Sequence, residues 1–327
     1  MEKFKAYRIF EEQGKVSGRF VELGEDEIDP GEVVIRNAYA SVNYKDALAA
    51  TGAGKVIRRF PCIGGIDAAG TVIASSAPGI KAGDEVVAHG GELGVAHDGG
   101  YAGCVRATAA WVMPLPKSIS ALDAITLGVA GYTSALAIHL LEANGLKPAN
   151  GKVLVNGATG GCGSIAIDML ARRGYHVVAL TGKDAERDYL TGLGAAEVLS
   201  RHGLTMGTRP LEKATWAAAF DSVGGEQLAW LTRTMQQEGL IASFGNAGGI
   251  ELNTTVLPFI LRGVRLIGVN SDSPPALRKA VWDRLGGDLA PRHLAEIRQV
   301  VGFEELPAVF QRVLHGQVRG RSVIRIA

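Results

Sequence analysis

A chain of 327 residues exceeds what one ordinary hydrophobic core organises and suits two domains. Hydrophobic residues make up 47% and charged residues 20%, with 44 glycines and 6% aromatics, a profile of α/β proteins with tight strand-to-helix turns and not of disordered chains. With 34 Lys and Arg against 33 Asp and Glu, no global field attracts nucleic acid or an anionic membrane, so any anionic ligand has to be held by local charge. The opening MEKFKAYRIFEEQ has no apolar signal core, and no run of about 18 apolar residues stands out. Export and membrane insertion are therefore disfavoured, and a cytoplasmic location is expected. Cys62, Cys104 and Cys162 are isolated, which leaves neither a disulfide framework nor a cysteine-rich zinc lobe.

From Lys5 to about Pro116, short apolar runs such as Gly31–Arg36 and Gly70–Ala74 are punctuated by Gly, Pro and Asp, the pattern of a small, irregular β barrel. Ser120-Ala-Leu-Asp123 reads as a helix start, followed by helical spacing through Leu141. Strand–helix alternation then runs through Lys152–Asn156, Tyr175–Leu180, Ala217–Asp221, Gly239–Ser243 and Val264–Gly268, each short and apolar as buried parallel strands are. The expectation is a doubly wound parallel sheet. Pro274–Leu289 reads as helix and Val318–Ile326 as a strand returning to the first domain, which gives a β-rich domain from 1–120 with 290–327 and a dinucleotide domain from 121–289. No linker run separates them, so a shared cleft is expected to hold the ligands.

The most specific motif is Val153-Leu-Val-Asn-Gly-Ala158-Thr159-Gly160-Gly161-Cys162-Gly163, a strand, a glycine turn and the start of an amphipathic helix. It is a variant of the Rossmann fingerprint with Ala158 at the first glycine position: Gly160 admits the pyrophosphate, Gly163 permits close helix–strand packing, and the helix N-terminus faces the phosphate charge. About 20 residues on, an NAD site carries an acid for the ribose 2′-hydroxyl. Here the chain reads Thr181-Gly182-Lys183, a hydroxyl, exposed amides and an ammonium that suit a 2′-phosphate, so NADPH is the expected cofactor. Asp184 is read as the opening of the next helix, and Arg201 and Arg187 as further phosphate candidates.

Over essentially its whole length the chain resembles the medium-chain dehydrogenase/reductases. Ser41–Asp46, Arg58–Asp67 and Thr181–Lys183 resemble the zinc-free acryloyl-CoA reductase and YhdH-like quinone oxidoreductase subgroup. The resemblance implies a GroES-like β-rich catalytic domain beside the Rossmann domain. Zinc-dependent relatives carry a Cys near Val42 or Asn43 and a His at Ile66; both are missing, and Asp67 alone cannot supply three ligands. His89 and His97 show no paired spacing and are expected in core or loop. Without a Lewis acid, the favoured hydride acceptors are an alkene conjugated to a carbonyl, or a quinone.

The resemblance also puts Asn43, Tyr44 and Asp46 near the nicotinamide, in a loop after a strand. Tyr44 either covers the ring or packs at the domain junction, and Asp46 either acts in catalysis or caps the helix-like Ala47–Ala50. Asp67, in an apolar stretch, is either functional or half of a buried ion pair; Tyr101 is a core aromatic or a cleft residue. Thr133, in a helix of small residues, and the strand ends Asn246-Ala247 and Asn270-Ser271 are expected at the cofactor, as is Gln317 in the glycine-containing tail through Arg321. Lys55, Arg58 and Arg59 form a cationic cluster for coenzyme A phosphates or a solvated face. The expected reaction is reduction of acryloyl-CoA to propionyl-CoA, the alternatives being a quinone or free enone reductase and a non-enzymatic NADPH-binding module. Val264–Val269 is the expected pairing edge of a homodimer.

Overall fold

In the computed structural model, which describes Lys3–Ala327, the chain forms two compact units. One comprises residues up to Val129 with Asp272–Gly286 and Leu294–Ala327; the other comprises Ala130–Ser271 with Gly287–His293. Among the described residues, the first unit carries an antiparallel hairpin, Phe4–Glu12 with Lys15–Leu23, extended by the two-residue strand Cys62–Ile63. Its main sheet runs Arg298–Gly302, Arg321–Arg325, Val33–Val42, Asp67–Ser75, Glu85–His89 and Val112–Pro114 in spatial order, with Cys104–Ala107 also pairing to Val33–Val42. The tail strand therefore sits between Val33–Val42, antiparallel, and Arg298–Gly302, parallel.

The second unit is a parallel sheet in the spatial order Glu197–Ser200, His176–Thr181, Lys152–Val155, Trp216–Asp221, Met235–Ser243, Arg265–Gly268. Numbered along this unit the order is 3-2-1-4-5-6, the doubly wound Rossmann arrangement, and the order reverses between Lys152–Val155 and Trp216–Asp221. The inner strands are apolar on both faces because helices cover both: every residue of Trp216–Asp221 is buried. Glu197–Ser200 is an edge strand that the apolar pattern alone does not announce, since its four residues alternate too briefly. The other edge, Arg265–Gly268, is only partly covered.

The helix Ala121–Ala143 starts where expected, with the Ser120 hydroxyl accepting from Asp123 N at 3.1 Å. Its length and mean hydropathy of 1.6 would suffice to cross a membrane, a stretch that a count of uninterrupted apolar runs misses because Gly, Thr, Ser and His are interspersed. Within that window, however, 83% of the residues are buried inside the protein. The helix is also broken at Gly128, whose φ of 47° and ψ of −148° suit glycine alone. The expected loop at Asn43–Asp46 is likewise corrected: strand Val33–Val42 runs straight into helix Tyr44–Thr51 with Asn43 as its N-cap.

Cys62 and Cys104 are buried thiols held up to about 12 and about 11, chiefly by desolvation, and Cys162 is partly exposed. His89 is a core residue whose Nε2 accepts a hydrogen bond from Trp282 Nε1 at 2.9 Å, whereas His97 lies in a loop with Nε2 3.0 Å from Pro30 O. Burial, aided by the Arg278 charge, lowers His89 from 6.5 to about 3. The unfolded chain thus binds a proton at this residue between pH 3 and 6.5 that the native state does not, so stability is lost as pH falls through that window. His89→Gln, which retains an acceptor for Trp282, should remove that dependence. In urea melts between pH 4 and 6, the stability of the wild type relative to the variant should rise by about 1.4 kcal/mol per pH unit; a constant difference would contradict this assignment.

Candidate functional site

In the parallel-sheet unit the fingerprint turn lies at the carboxyl end of Lys152–Val155, beside the point where strand order reverses. Gly160 is the N-cap of helix Gly161–Arg172, its N–H bonded to Gly157 O at 2.9 Å. A Cβ on Gly163 would sit 2.5 Å from Gly157 O and 2.8 Å from Ala158 Cα, so the third glycine is required for close helix–turn packing. Ala158 and Thr159 are buried, whereas Gly160, Gly161 and Cys162 are partly exposed. The helix start leaves backbone N–H groups aimed beyond the turn, the electrostatics that favour a phosphate. Thr133, on Ala121–Ala143, is buried.

Asn156 and Asp221, which sequence reasoning did not select, bind the turn to the next strand. Asn156 Nδ2 donates to Asp221 Oδ1 at 2.6 Å, and Ser222 N donates to Asn156 Oδ1 at 2.8 Å. Asp221 also accepts from Gly224 N at 3.0 Å and Ser243 Oγ at 3.2 Å. The segment through Asn246 and Ala247, both exposed, follows Met235–Ser243 and approaches the turn after Trp216–Asp221 so closely that a Cβ on Gly224 would lie 3.3 Å from Asn246 Cα. Asn270 is exposed and Ser271 partly so, after the edge strand Arg265–Gly268.

The end of strand His176–Thr181 carries Thr181, Gly182 and Lys183, the residues expected at the 2′-phosphate. Thr181 is buried, its Oγ1 accepting from Lys183 N at 2.9 Å, and Asp184 opens the following 3₁₀ turn. Burial lowers the Lys183 ammonium from its ordinary value, with Glu186 opposing the shift. Arg201 N donates to Thr181 O at 2.7 Å, and its guanidinium lies over Gly182, where a Cβ would be 3.0 Å from Nη2. Arg187 is exposed on the next helix.

In the β-rich unit, Asn43, Asp46, Asp67 and Tyr101 converge with Ser41 and Arg321. Asp67, at 0% exposure, accepts from Ser41 N at 2.9 Å, Ser41 Oγ at 2.7 Å, Asn43 Nδ2 at 3.2 Å and Val129 N at 3.3 Å. Its counter-ion is Arg321, at 3% exposure, with Nη2 3.8 Å from Oδ2. Arg321 also donates to Asn43 Oδ1 at 2.9 Å, to Thr126 O at 3.0 Å and to Ser41 Oγ. Gly128 faces this cluster without a side chain: a Cβ there would lie 2.6 Å from Asp67 Oδ2. Of the two readings of Asp67, the structure shows the buried ion pair. Its partner Arg321 opens the tail strand Arg321–Arg325, whose first four residues are buried.

Asp46 caps its helix through Asn43 N at 2.8 Å and accepts from Ile66 N at 3.0 Å. Desolvation, reinforced by Asp67, raises it from 3.8 to about 7. Tyr101 is fully buried, donates to Ser41 O at 3.0 Å and is held well above 10, mainly by desolvation. Tyr44 is 44% exposed at the first turn of Tyr44–Thr51, and Gln317 is exposed. Arg58 pairs with Glu92, and Arg59 with Asp29, on the surface.

Val42 and Ile66 bring no metal-ligating side chain, and both Asp67 oxygens are engaged by Ser41, Asn43, Val129 and Arg321, so this donor set does not fit a zinc ion. Among the described residues, no three His, Cys, Asp or Glu side chains form a group that could hold a metal.

The buried pair generates a stability prediction. Arg321→Leu strands the Asp67 carboxylate and should cost about 3–5 kcal/mol in denaturant melts, whereas adding Asp67→Asn should recover much of that loss. A double variant no more stable than the single one would show that charge compensation is not the reason.

Comparison with known proteins matches residues 29–117 to the alcohol dehydrogenase GroES-like domain and residues 161–285 to the zinc-binding dehydrogenase family. The chain is 44% identical to the putative quinone oxidoreductase YhfP of Bacillus subtilis, covering 99% of each protein. It is 40% identical to the probable acrylyl-CoA reductase AcuI of Escherichia coli, over 98% of this chain and 99% of that one. The YhfP structure with NAD bound superimposes with a TM-score of 0.96 at 43% identity, covering 99% of this chain and 100% of that one. The YhdH oxidoreductase of Salmonella enterica in complex with NADP gives 0.95 at 42%, with the same coverage.

Proposed function

The chain belongs to the medium-chain dehydrogenase/reductase superfamily, in the group that holds the acrylyl-CoA reductases and YhdH- and YhfP-type quinone oxidoreductases, and on that premise we propose that it is an NADPH-dependent reductase of a short enoyl-CoA. The observation that carries this reading is the cationic, acid-free end of strand His176–Thr181, combined with 40% identity to an acrylyl-CoA reductase. Ala158–Gly163 cradles the pyrophosphate, the small residues allowing close backbone approach and the helix N-terminus opposing its charge. Thr181, Gly182, Lys183 and Arg201 receive the 2′-phosphate, where a carboxylate would repel it. Tyr44, Thr133, Asn246, Ala247, Asn270, Ser271 and Gln317 contribute to the nicotinamide end.

The reduced nicotinamide supplies a hydride. In acryloyl-CoA that hydride adds to the β-carbon, the double-bond electrons move toward the thioester carbonyl, and a proton from water completes the α-carbon, giving propionyl-CoA. The chain's contribution is orientation of the reacting groups. Asn43 and Tyr44 stand on a first helical turn made rigid by Asp46, Asp67 and Arg321, and we assign Asn43 and Tyr44 to contact with the reacting groups and Asp67 to positioning them. The conjugated acceptor spreads charge without a metal, which suits a site whose donors do not fit zinc. Arg58 and Arg59 are the candidates for the coenzyme A phosphates; each would have to exchange a surface carboxylate for phosphate, an exchange that exposed pairs allow at small cost.

The 44% identity to a quinone oxidoreductase favours a second reading, in which a quinone is the acceptor. With NADPH and a metal chelator present, kcat/KM for acryloyl-CoA should exceed that for a small quinone by at least tenfold. No turnover of the thioester overturns the first reading; quinone turnover alone selects the second.

We further propose a cytoplasmic homodimer. Supporting the dimer, the partly covered edge Arg265–Gly268 lies in the same unit as an apolar surface that includes Ile250 at 81% and Ile260 at 68% exposure, with Val256 and Leu261. Such an edge and patch favour pairing with a second copy. Ile260→Asp should convert a dimer to a monomer in sedimentation or light scattering; an unchanged mass would reject this surface.

A further inference from the structure

We propose that His202 is a positioning residue for cofactor specificity: by tying the Arg201 segment to the Thr181–Lys183 turn, it raises affinity for the 2′-phosphorylated dinucleotide and leaves NADH binding unaffected. The inference rests on the reading of that turn as the 2′-phosphate site. His202 Nε2 lies 2.9 Å from Gly182 O, and since a carbonyl only accepts, Nε2 carries the hydrogen. The bond spans two strand ends, with Gly182 following His176–Thr181 and His202 following the edge strand Glu197–Ser200.

Arg201 needs such a tether. It leaves the sheet at an exposed edge, and residues 201–215 form neither helix nor strand, so no regular element continues beyond it to hold its direction. The Arg201 backbone donates to Thr181 O at 2.7 Å and accepts from Leu204 N at 3.2 Å, and the ring of His202 adds the side-chain bond that ties this segment to the Thr181–Lys183 turn beside the guanidinium. His202 N in turn bonds Ser200 Oγ at 3.2 Å, which fixes the ring's own backbone. Between these ties the guanidinium lies across Gly182, in space that any side chain at 182 would fill.

A long arginine loses rotamer freedom when it engages a ligand, and a scaffold that restricts it beforehand reduces that loss. The benefit reaches only a ligand with a group for Arg201 to engage. NADPH has that group and NADH does not, so the tether acts on the ratio of the two affinities.

The test titrates the full-length protein with NADPH and NADH, following nicotinamide fluorescence, and with 2′,5′-ADP as the phosphate-bearing fragment. His202→Ala should weaken NADPH and 2′,5′-ADP about fivefold, the loss of one hydrogen bond, with NADH within twofold of the wild type. His202→Gln, whose amide can donate to the same carbonyl, should restore most of the loss. Equal weakening of NADPH and NADH, no weakening of either, or failure of Gln to rescue would each overturn the proposal. Lys183→Ala separates it from its premise: if that variant loses the NADPH preference and His202→Ala keeps it, the positioning role alone fails. A wild type with no preference for NADPH removes the premise and the proposal together.

Discussion

A carboxylate at zero exposure is tolerable only when its charge is compensated and its lone pairs are occupied, and in the β-rich unit that requirement falls on Asp67. Its compensation comes from separate parts of the chain: Ser41 and Asn43 at the end of one strand, the backbone at the Gly128 break in a helix, and Arg321 at the start of the tail strand. Each contributor must be in place for the others to be satisfied. The glycine at the break follows from this, because on the backbone as it stands a Cβ at position 128 would lie 2.6 Å from Asp67 Oδ2. The first turn that carries Asn43 and Tyr44 inherits its rigidity from the same cluster.

The parallel-sheet unit divides its charges between two roles. Asp221 is buried and fully engaged, serving to hold the fingerprint turn against the neighbouring strand. The cations at the end of His176–Thr181 lie where water, and a ligand, can reach them. Structural charges are thus enclosed and hydrogen-bonded, while the cations expected to meet a ligand stand at strand ends. Relatives crystallised with NADP and with NAD share this fold at similar identity, so the architecture alone does not distinguish the two dinucleotides.

What could be read from the sequence divides along the same line. The glycine turn, the Thr181–Lys183 end and the long apolar helix are local patterns, and local geometry determines what they form. The partner of Asp67 was not readable, because it lies near the other end of the chain and only the sheet brings it close; the sequence permits the ion pair without naming Arg321. Asn156 and Asp221 were passed over for a related reason, as a polar residue at each end of two apolar strands looks like a turn until the strands are set side by side. Asn43 illustrates a boundary effect: expected in a loop, it is the cap that converts strand directly into helix. The short edge strand Glu197–Ser200 offered too few residues for periodicity to register, and His202, one residue past Arg201, carried no signal of its own.

The three cysteines acquire a practical meaning from their surroundings. Two are sealed in the core and kept protonated far above neutral pH, so toward thiol-directed electrophiles the folded chain behaves as though it had a single thiol. That sulfur belongs to Cys162, inside the glycine turn. A reporter dye or crosslinker placed there would respond to the occupancy of the turn with no mutagenesis needed to silence the others. By the same logic, thiol oxidation in the native protein would concentrate in the glycine turn.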